Sequence, residues 1–410
     1  MCKLFESNKI SRYFDLIFIS LIAFVYPSFS FRGGSSHILS LVFYGLFISY
    51  ACIRIFISKK ILFSLPSISL TLFLLSGVIS TIINKNSNLS SSLLLCTIFT
   101  IIMSVYYSCE NDSLSCFALG YALGTFAFTI YLFFISNFNV FNLNTNYFVN
   151  VNRICNTYSI SLIFLVLYLF SCRKSFARTI LLSILIAFFA LLLIILGSRS
   201  AFASFVIALS INVYIKFWPK HRQKLIFGTI IVSTLLIIVI VAIPTIRELF
   251  SRYFDYFSFI SGDANADYSA RERFNMQITA LYHFMESPLF GHGIDGYATI
   301  GPYHVYSHNT FTDILCNFGI IGFGLYEFPL IYSIYILIKF SKNHEKTTLL
   351  TLVSYFLFIQ FTGILYVDKL NALIYGVLIG KAISIRLTSL HYKINPDKIM
   401  KKTISCDKLI

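Results

Sequence analysis

Apolar residues run along this chain in long unbroken stretches divided by short polar ones, and the length of each stretch is its first structural statement. A helix needs about 20 apolar residues to cross the hydrocarbon core of a bilayer. Stretches of that kind predict spans at 13–29, 38–57, 61–83, 91–107, 114–136 and 157–171 in the first half. The second half adds 179–197, 200–217, 225–246, 309–338, 347–366 and 370–388. The expectation is an all-α, polytopic integral membrane protein, one membrane domain over 1–410, with about 12 transmembrane helices.

The polar interruptions orient these spans, because Lys and Arg accumulate in short cytoplasmic loops. Lys3, Lys9 and Arg12 precede the first span, Lys59 and Lys60 follow the second, and Arg173, Lys174 and Arg178 follow the sixth. Lys216, Lys220, Arg222 and Lys224 follow the eighth, Lys342 and Lys346 the tenth, and Lys393, Lys398, Lys401 and Lys402 the last. Both termini are therefore expected in the cytoplasm, with 389–410 a basic tail. The first run, with its basic flank and the poor cleavage site Ser28-Phe29-Ser30, reads as a retained signal anchor.

Composition agrees. Hydrophobic residues are 57% of the 410 and charged residues 12%, about half the charged share of a soluble domain, with a mean hydropathy of +0.79. The net charge of +15 is accounted for mostly by the cytoplasmic loops, so it does not indicate nucleic-acid binding. The nine cysteines are scattered without a CxxC pair, which indicates neither a disulfide framework nor a zinc site.

Two outward loops are long, about 137–156 and about 247–308, the larger lying before the tenth span. The larger passes through the polar stretch Ser261 to Asp267, shows a helical period from about Ala270 to Glu286, stops at Pro288, and continues through Gly291-His292-Gly293-Ile294-Asp295-Gly296. Arginines on this side oppose the positive-inside trend. Arg199, in the turn Gly197-Ser198-Arg199-Ser200, either snorkels at a helix end or offers a bidentate fork to a phosphate. Arg271 and Arg273 open the loop helix, where a cation is unfavourable, and suit an external anion or plain solvation. Arg153, beside an Asn-rich loop, reads first as an interfacial residue.

Of the loop histidines His283, His292, His304 and His308, none keeps a regular metal-ligand spacing, so no metal is expected. His308, in Ser307-His308-Asn309 at the entry to a span, is the candidate general base, with Thr312 and Asp313 one turn on to orient or polarise it.

These residues carry a resemblance. Arg273 to Pro288 continuing into Leu289-Phe290-Gly291-His292-Gly293, then His308-Asn309 with nine residues to Gly319-Ile320-Ile321-Gly322, resembles the C-terminal signature shared by O-antigen polymerases (Wzy) and O-antigen ligases (WaaL). Arg199 matches the arginine that this superfamily places after an upstream helix. The motif-bearing region is about 195–325.

The resemblance implies a metal-independent, cofactor-free glycosyltransferase of the bacterial inner membrane, working at its periplasmic face. Its substrate would be an undecaprenyl-diphosphate-linked oligosaccharide. Arg199 with Arg273 or Arg271 would hold the diphosphate, with Arg153, Asn309 and Asp313 as further substrate-side residues. His308 would deprotonate the acceptor hydroxyl for an inverting displacement. The lipid bilayer is the obligatory partner, and the reading leaves room for a chain-length regulator protein.

A polymerase would transfer to another lipid-linked repeat, a ligase to the lipid A core. The paired arginine-to-glycine loop motif described for some polymerases is missing, since Arg32, Arg153, Arg199 and Arg271 each lack a glycine eleven positions on. The Ile-, Phe-, Ser-, Asn- and Tyr-rich composition with one Trp resembles polymerases and tips the reading that way. A transporter or flippase of lipid-linked glycans is the alternative of another class. It would place ionisable groups near the bilayer midplane, where only Asp313, Glu327 and Lys381 are candidates, and no internal repeat is evident.

Overall fold

A computed structural model describes residues 8–28, 36–58, 64–84, 91–109, 113–135, 151–171, 176–196, 198–242, 268–341 and 343–394. The polar stretch 261–267, the Asn-rich 137–150, the arginines 247 and 252, and the tail beyond 394 lie outside the described residues.

The first five helices are α1 (Asn8–Ser28), α2 (Ser36–Ser58), α3 (Leu65–Ile83), α4 (Ser91–Cys109) and α5 (Ser113–Ile135). Then come α6 (Val151–Ser171), α7 (Phe176–Leu196), α8 (Arg199–Ala242), α9 (Tyr268–Glu286) and the short α10 (Gly296–Ile300). The chain closes with α11 (Thr310–Phe340), α12 (Asn343–Gln360) and α13 (Lys369–Ile394). The protein is all-helical among the described residues. Among the described residues eight helices are long and apolar enough to cross a membrane: α3 to α8, α11 and α13. Shorter apolar stretches, Tyr13–Pro27 and Tyr44–Phe56, occupy α1 and α2.

Small residues let these helices approach closely, as packing without a hydrophobic drive between helices requires. A Cβ on Gly124 of α5 would stand 2.0 Å from the Ser20 carbonyl oxygen of α1, so that pair meets backbone to backbone. Serine and threonine hydroxyls inside the bundle return to carbonyls of their own helix, as Thr125 does to Tyr121 (2.9 Å), or cross between helices, as Ser161 does to Thr125 (2.6 Å).

Three boundaries differ from the expectations. The sixth helix starts at Val151 rather than 157, taking Asn152, Arg153 and Asn156 into its first turns. Hydropathy alone excludes such residues, but here Asn152 accepts from the Ser198 hydroxyl (2.8 Å) and Asn156 from the Tyr355 hydroxyl (3.4 Å). The expected loop between 217 and 225 shrinks to a break at His221 (φ −138°, ψ 35°), and the Tyr214 and Thr229 hydroxyls, 3.2 Å apart, show the chain folding back on itself there. The span expected as one helix at 309–338 breaks at Gly319 (φ 66°, ψ −171°). Into that break the segment after α9 inserts: Ile320 N–H donates to Pro288 O (2.9 Å), while His292 and Gly293 N–H donate to Cys316 O (2.9 Å) and Asn317 O (2.8 Å). A Cβ on Gly319 would stand 2.2 Å from the Leu289 carbonyl oxygen, so only glycine fits.

The C-terminal end of α1, the N-terminal end of α6, the α7–α8 turn, the α12–α13 turn and the entry to α11 converge at one end of the bundle.

Candidate active site

The entry to α11 is organised by its cap. Asn309 takes an extended conformation, and its side-chain oxygen accepts the N–H groups of Phe311 (2.9 Å) and Thr312 (3.3 Å), two donors that the first helical turn leaves unpaired. Its amide nitrogen reaches Gln277 of α9 (3.4 Å). On the other side of His308, Ser307 donates its N–H to Asp313 Oδ1 (2.9 Å) and its hydroxyl to the Asn309 carbonyl (3.0 Å). His308 is thus clamped by both neighbours, and it stands at φ 60°, a left-handed conformation costly for a residue with a Cβ.

That conformation directs the imidazole into a cavity of about 430 Å³. The ring packs on Tyr306, with centroids 4.5 Å apart and planes inclined by 59°. Burial and, secondarily, the guanidinium of Arg273 push the imidazole pKa down to about 4, so the ring is neutral at neutral pH with a nitrogen lone pair available.

Two guanidiniums share this cavity. Arg273 arrives from α9, and no carboxylate among the described residues pairs with it. Arg153 arrives from the first turn of α6, its guanidinium 5.4 Å from the centre of the Tyr26 ring. The Tyr26 hydroxyl in turn donates to Asp368, which also accepts the backbone and side-chain N–H groups of Asn371 (both 3.0 Å). The turn carrying Asp368 is fastened to the His308 segment through Thr310, whose hydroxyl donates to Gly363 O (2.7 Å) and accepts from Leu365 N–H (3.0 Å).

The residues singled out from sequence fall into two groups. His308, Arg273 and Arg153 meet at the cavity, so Arg153 is a wall residue rather than an interfacial one. Arg199 does not line it. It opens α8 half-buried, while Ser200, about 100° further round the helix, faces the cavity in its place. Arg271 is exposed. Asn309 has its carboxamide committed to the cap. Asp313 does not reach His308: its carboxylate is buried and receives Ser307 N–H, the Asn317 amide (3.0 Å) and the Tyr366 hydroxyl. It positions the backbone beside the imidazole instead of polarising the ring.

Tyr26 and Asp368 escaped the sequence reading. Asp368 carried a signal, a carboxylate beside Lys369 in a short polar break between two apolar runs. The other loop histidines lie apart. His283 and His292 flank Glu286 (3.0 and 3.8 Å), and the His283 hydrogen bond holds that carboxyl below its usual range. Among the described residues no group of three His, Cys, Asp or Glu side chains is arranged to hold a metal ion.

A neutral imidazole facing two fixed cations suits an anionic ligand that also brings a hydroxyl to be deprotonated. A comparison with curated proteins gives no match. Residues 184–326, from within α7 to the middle of α11 and including Arg273 and His308, match the family model described as O-antigen ligase, a similarity that supports the resemblance to the superfamily of O-antigen ligases and polymerases.

Proposed function

We propose that the protein transfers a glycan from a lipid diphosphate donor, on the periplasmic side of the bacterial inner membrane, to a sugar hydroxyl. The observation that carries this reading is the convergence of Arg153, Arg273 and a neutral His308 on one cavity. The acceptor oxygen forms its bond to the anomeric carbon as the bond to the diphosphate breaks, with inversion. His308 takes the hydroxyl proton, and the electron pair leaves on the diphosphate, where two guanidiniums offset the developing charge. Binding the diphosphate also neutralises the field of Arg273, which raises the imidazole pKa and makes it a stronger base once the donor is in place. Asp368, on the wall with Arg153, supplies an acceptor for sugar hydroxyls.

The orientation rests on charge. The cavity end of the bundle is opposite the basic stretch Lys216 to Lys224, about 26 Å along α8 from its start at Arg199. Twelve crossings with both termini in the cytoplasm accord with that arrangement.

The composition, with 44 Phe, 26 Tyr and one Trp, favours another lipid-linked repeat as acceptor, which makes the protein an O-antigen polymerase. The ligase description of the matched family supports the second reading, transfer to the lipid A core. The surface glycan of a strain lacking the protein separates them. Lipopolysaccharide capped by a single repeat identifies the polymerase, and bare core with accumulated lipid-linked polymer identifies the ligase. Loss of all periplasmic lipid-linked glycan would overturn both in favour of a flippase. His308→Ala is expected to reproduce the deletion profile at normal protein abundance.

A further inference from the structure

The helix that carries Arg273 has three faces rather than two. Met276 and Ala280 are buried against Tyr297 and Cys316. Glu272, Asn275, Thr279 and Glu286 form a polar strip. Phe274, Ile278, Leu281, Tyr282 and Met285 make a third face, an arc about 100° wide at the helical period that is apolar apart from the exposed Arg271 in its first turn, and it is exposed: Tyr282 is 71% and Met285 73% accessible. An amphipathic helix serving only a protein core has no use for this arc.

The chain that leaves this helix docks below the end of α3. The chain that leaves it enters the Gly319 break of α11, and Ile294 donates its N–H to the Thr81 hydroxyl (2.9 Å) and reaches within 3.6 Å of a Cβ placed on Gly77. Gly77 lies six residues before the end of α3 at Ile83, about 9 Å down the helix. The exposed apolar surface is also continuous. Leu289 follows Tyr282 and Met285, and the docked backbone brings it beside exposed Ile320 and Ile321, which lead to Ile331, Tyr335 and Ile338 along the outward side of α11. Since α11 is long and apolar enough to cross a membrane, an exposed apolar side of it suits lipid.

We propose that α9 is an interfacial helix whose third face lies among the acyl chains of the leaflet on the cavity's side. An inserted helix of this kind rides about 5–10 Å into the boundary between headgroups and chains. Arg273 is then held at the height of a lipid-borne phosphate, a consequence that rests on the proposed function, whereas the insertion itself does not.

The single tryptophan makes the test direct. In a Trp218→Phe background, Met285→Trp and Tyr282→Trp report the third face and Glu272→Trp, about 140° round the helix from Met285, the polar strip. Each full-length variant is reconstituted in vesicles of phosphatidylethanolamine and phosphatidylglycerol with brominated acyl chains. The expected result is blue-shifted emission and severalfold quenching by bromine for the first two, with little of either for the third. Water-like emission from Met285→Trp and Tyr282→Trp would overturn the proposal. So would blue-shifted but unquenched emission, which would mean that protein covers the face. Circular dichroism verifies helical folding, and Tyr282→Trp, a conservative exchange, decides the matter if Met285→Trp fails to fold. No glycosyl transfer enters the readout, so its outcome is independent of the proposed reaction.

Discussion

His308 and Arg273 are electrostatically linked, and the link has a measurable sign. With its pKa pushed down to about 4, chiefly by burial and further by Arg273, the imidazole of the free enzyme keeps its lone pair throughout the neutral range. The pH profile of kcat/KM is therefore expected to stay flat on its acid side to about pH 5 and to fall as the ring protonates near pH 4. Arg273→Gln should move that acid limb upward, part of the way towards the ordinary histidine value of about 6.5, because burial persists. An acid limb that stays in place would separate the two residues. The arginines can be ranked in the same way. Arg153→Lys keeps a charge but loses the planar fork and its stacking on Tyr26, so a loss on the order of 100-fold in transfer is expected, measured per amount of protein in membranes. Arg199→Lys, at a side chain that does not line the cavity, should cost far less.

Among the elements, α11 carries the most information. Its sequence signature, an Asn followed after nine residues by Gly, separates two physical functions: Asn309 caps the helix that aims His308, and Gly319 opens the helix where the chain after α9 docks. Gly319→Ala forces a Cβ into the Leu289 carbonyl and a non-glycine residue into backbone space that is nearly glycine-only, a cost of about 2 kcal/mol or more. Faster limited proteolysis within 287–296 is the expected outcome, and wild-type resistance would contradict the docking. Spacing made this element legible in the sequence, as run length did for the membrane helices. The start of α6 was less legible because a hydropathy scan ends a span at its first polar residues, whereas Asn152 and Asn156 lie within the helix with polar partners. Asp368 was missed because its meaning comes from Tyr26, far away in the chain and brought near only by the packing of whole helices. The reversal at His221 was overestimated as a loop, since composition shows where a chain leaves the membrane but not how few residues it needs to turn.

For the molecule as a whole, the basic stretch around Lys216 to Lys224 and the cavity lie at opposite ends of the bundle. Alkaline phosphatase fused after Arg222 is expected to be inactive, and fused after Ile300 active, because the enzyme matures only outside the cytoplasm. The reverse pattern would put the cavity on the side where a periplasmic glycan never arrives. The hydroxyl of Thr310 has a further consequence at this scale. By fastening the α12–α13 turn to the first residue of α11, it joins the wall bearing Asp368 to the wall bearing His308. Changes in lateral pressure or bilayer thickness that tilt α12 must then carry both walls together. The spacing of the reacting groups is thereby insulated from the mechanical state of the membrane in which they work.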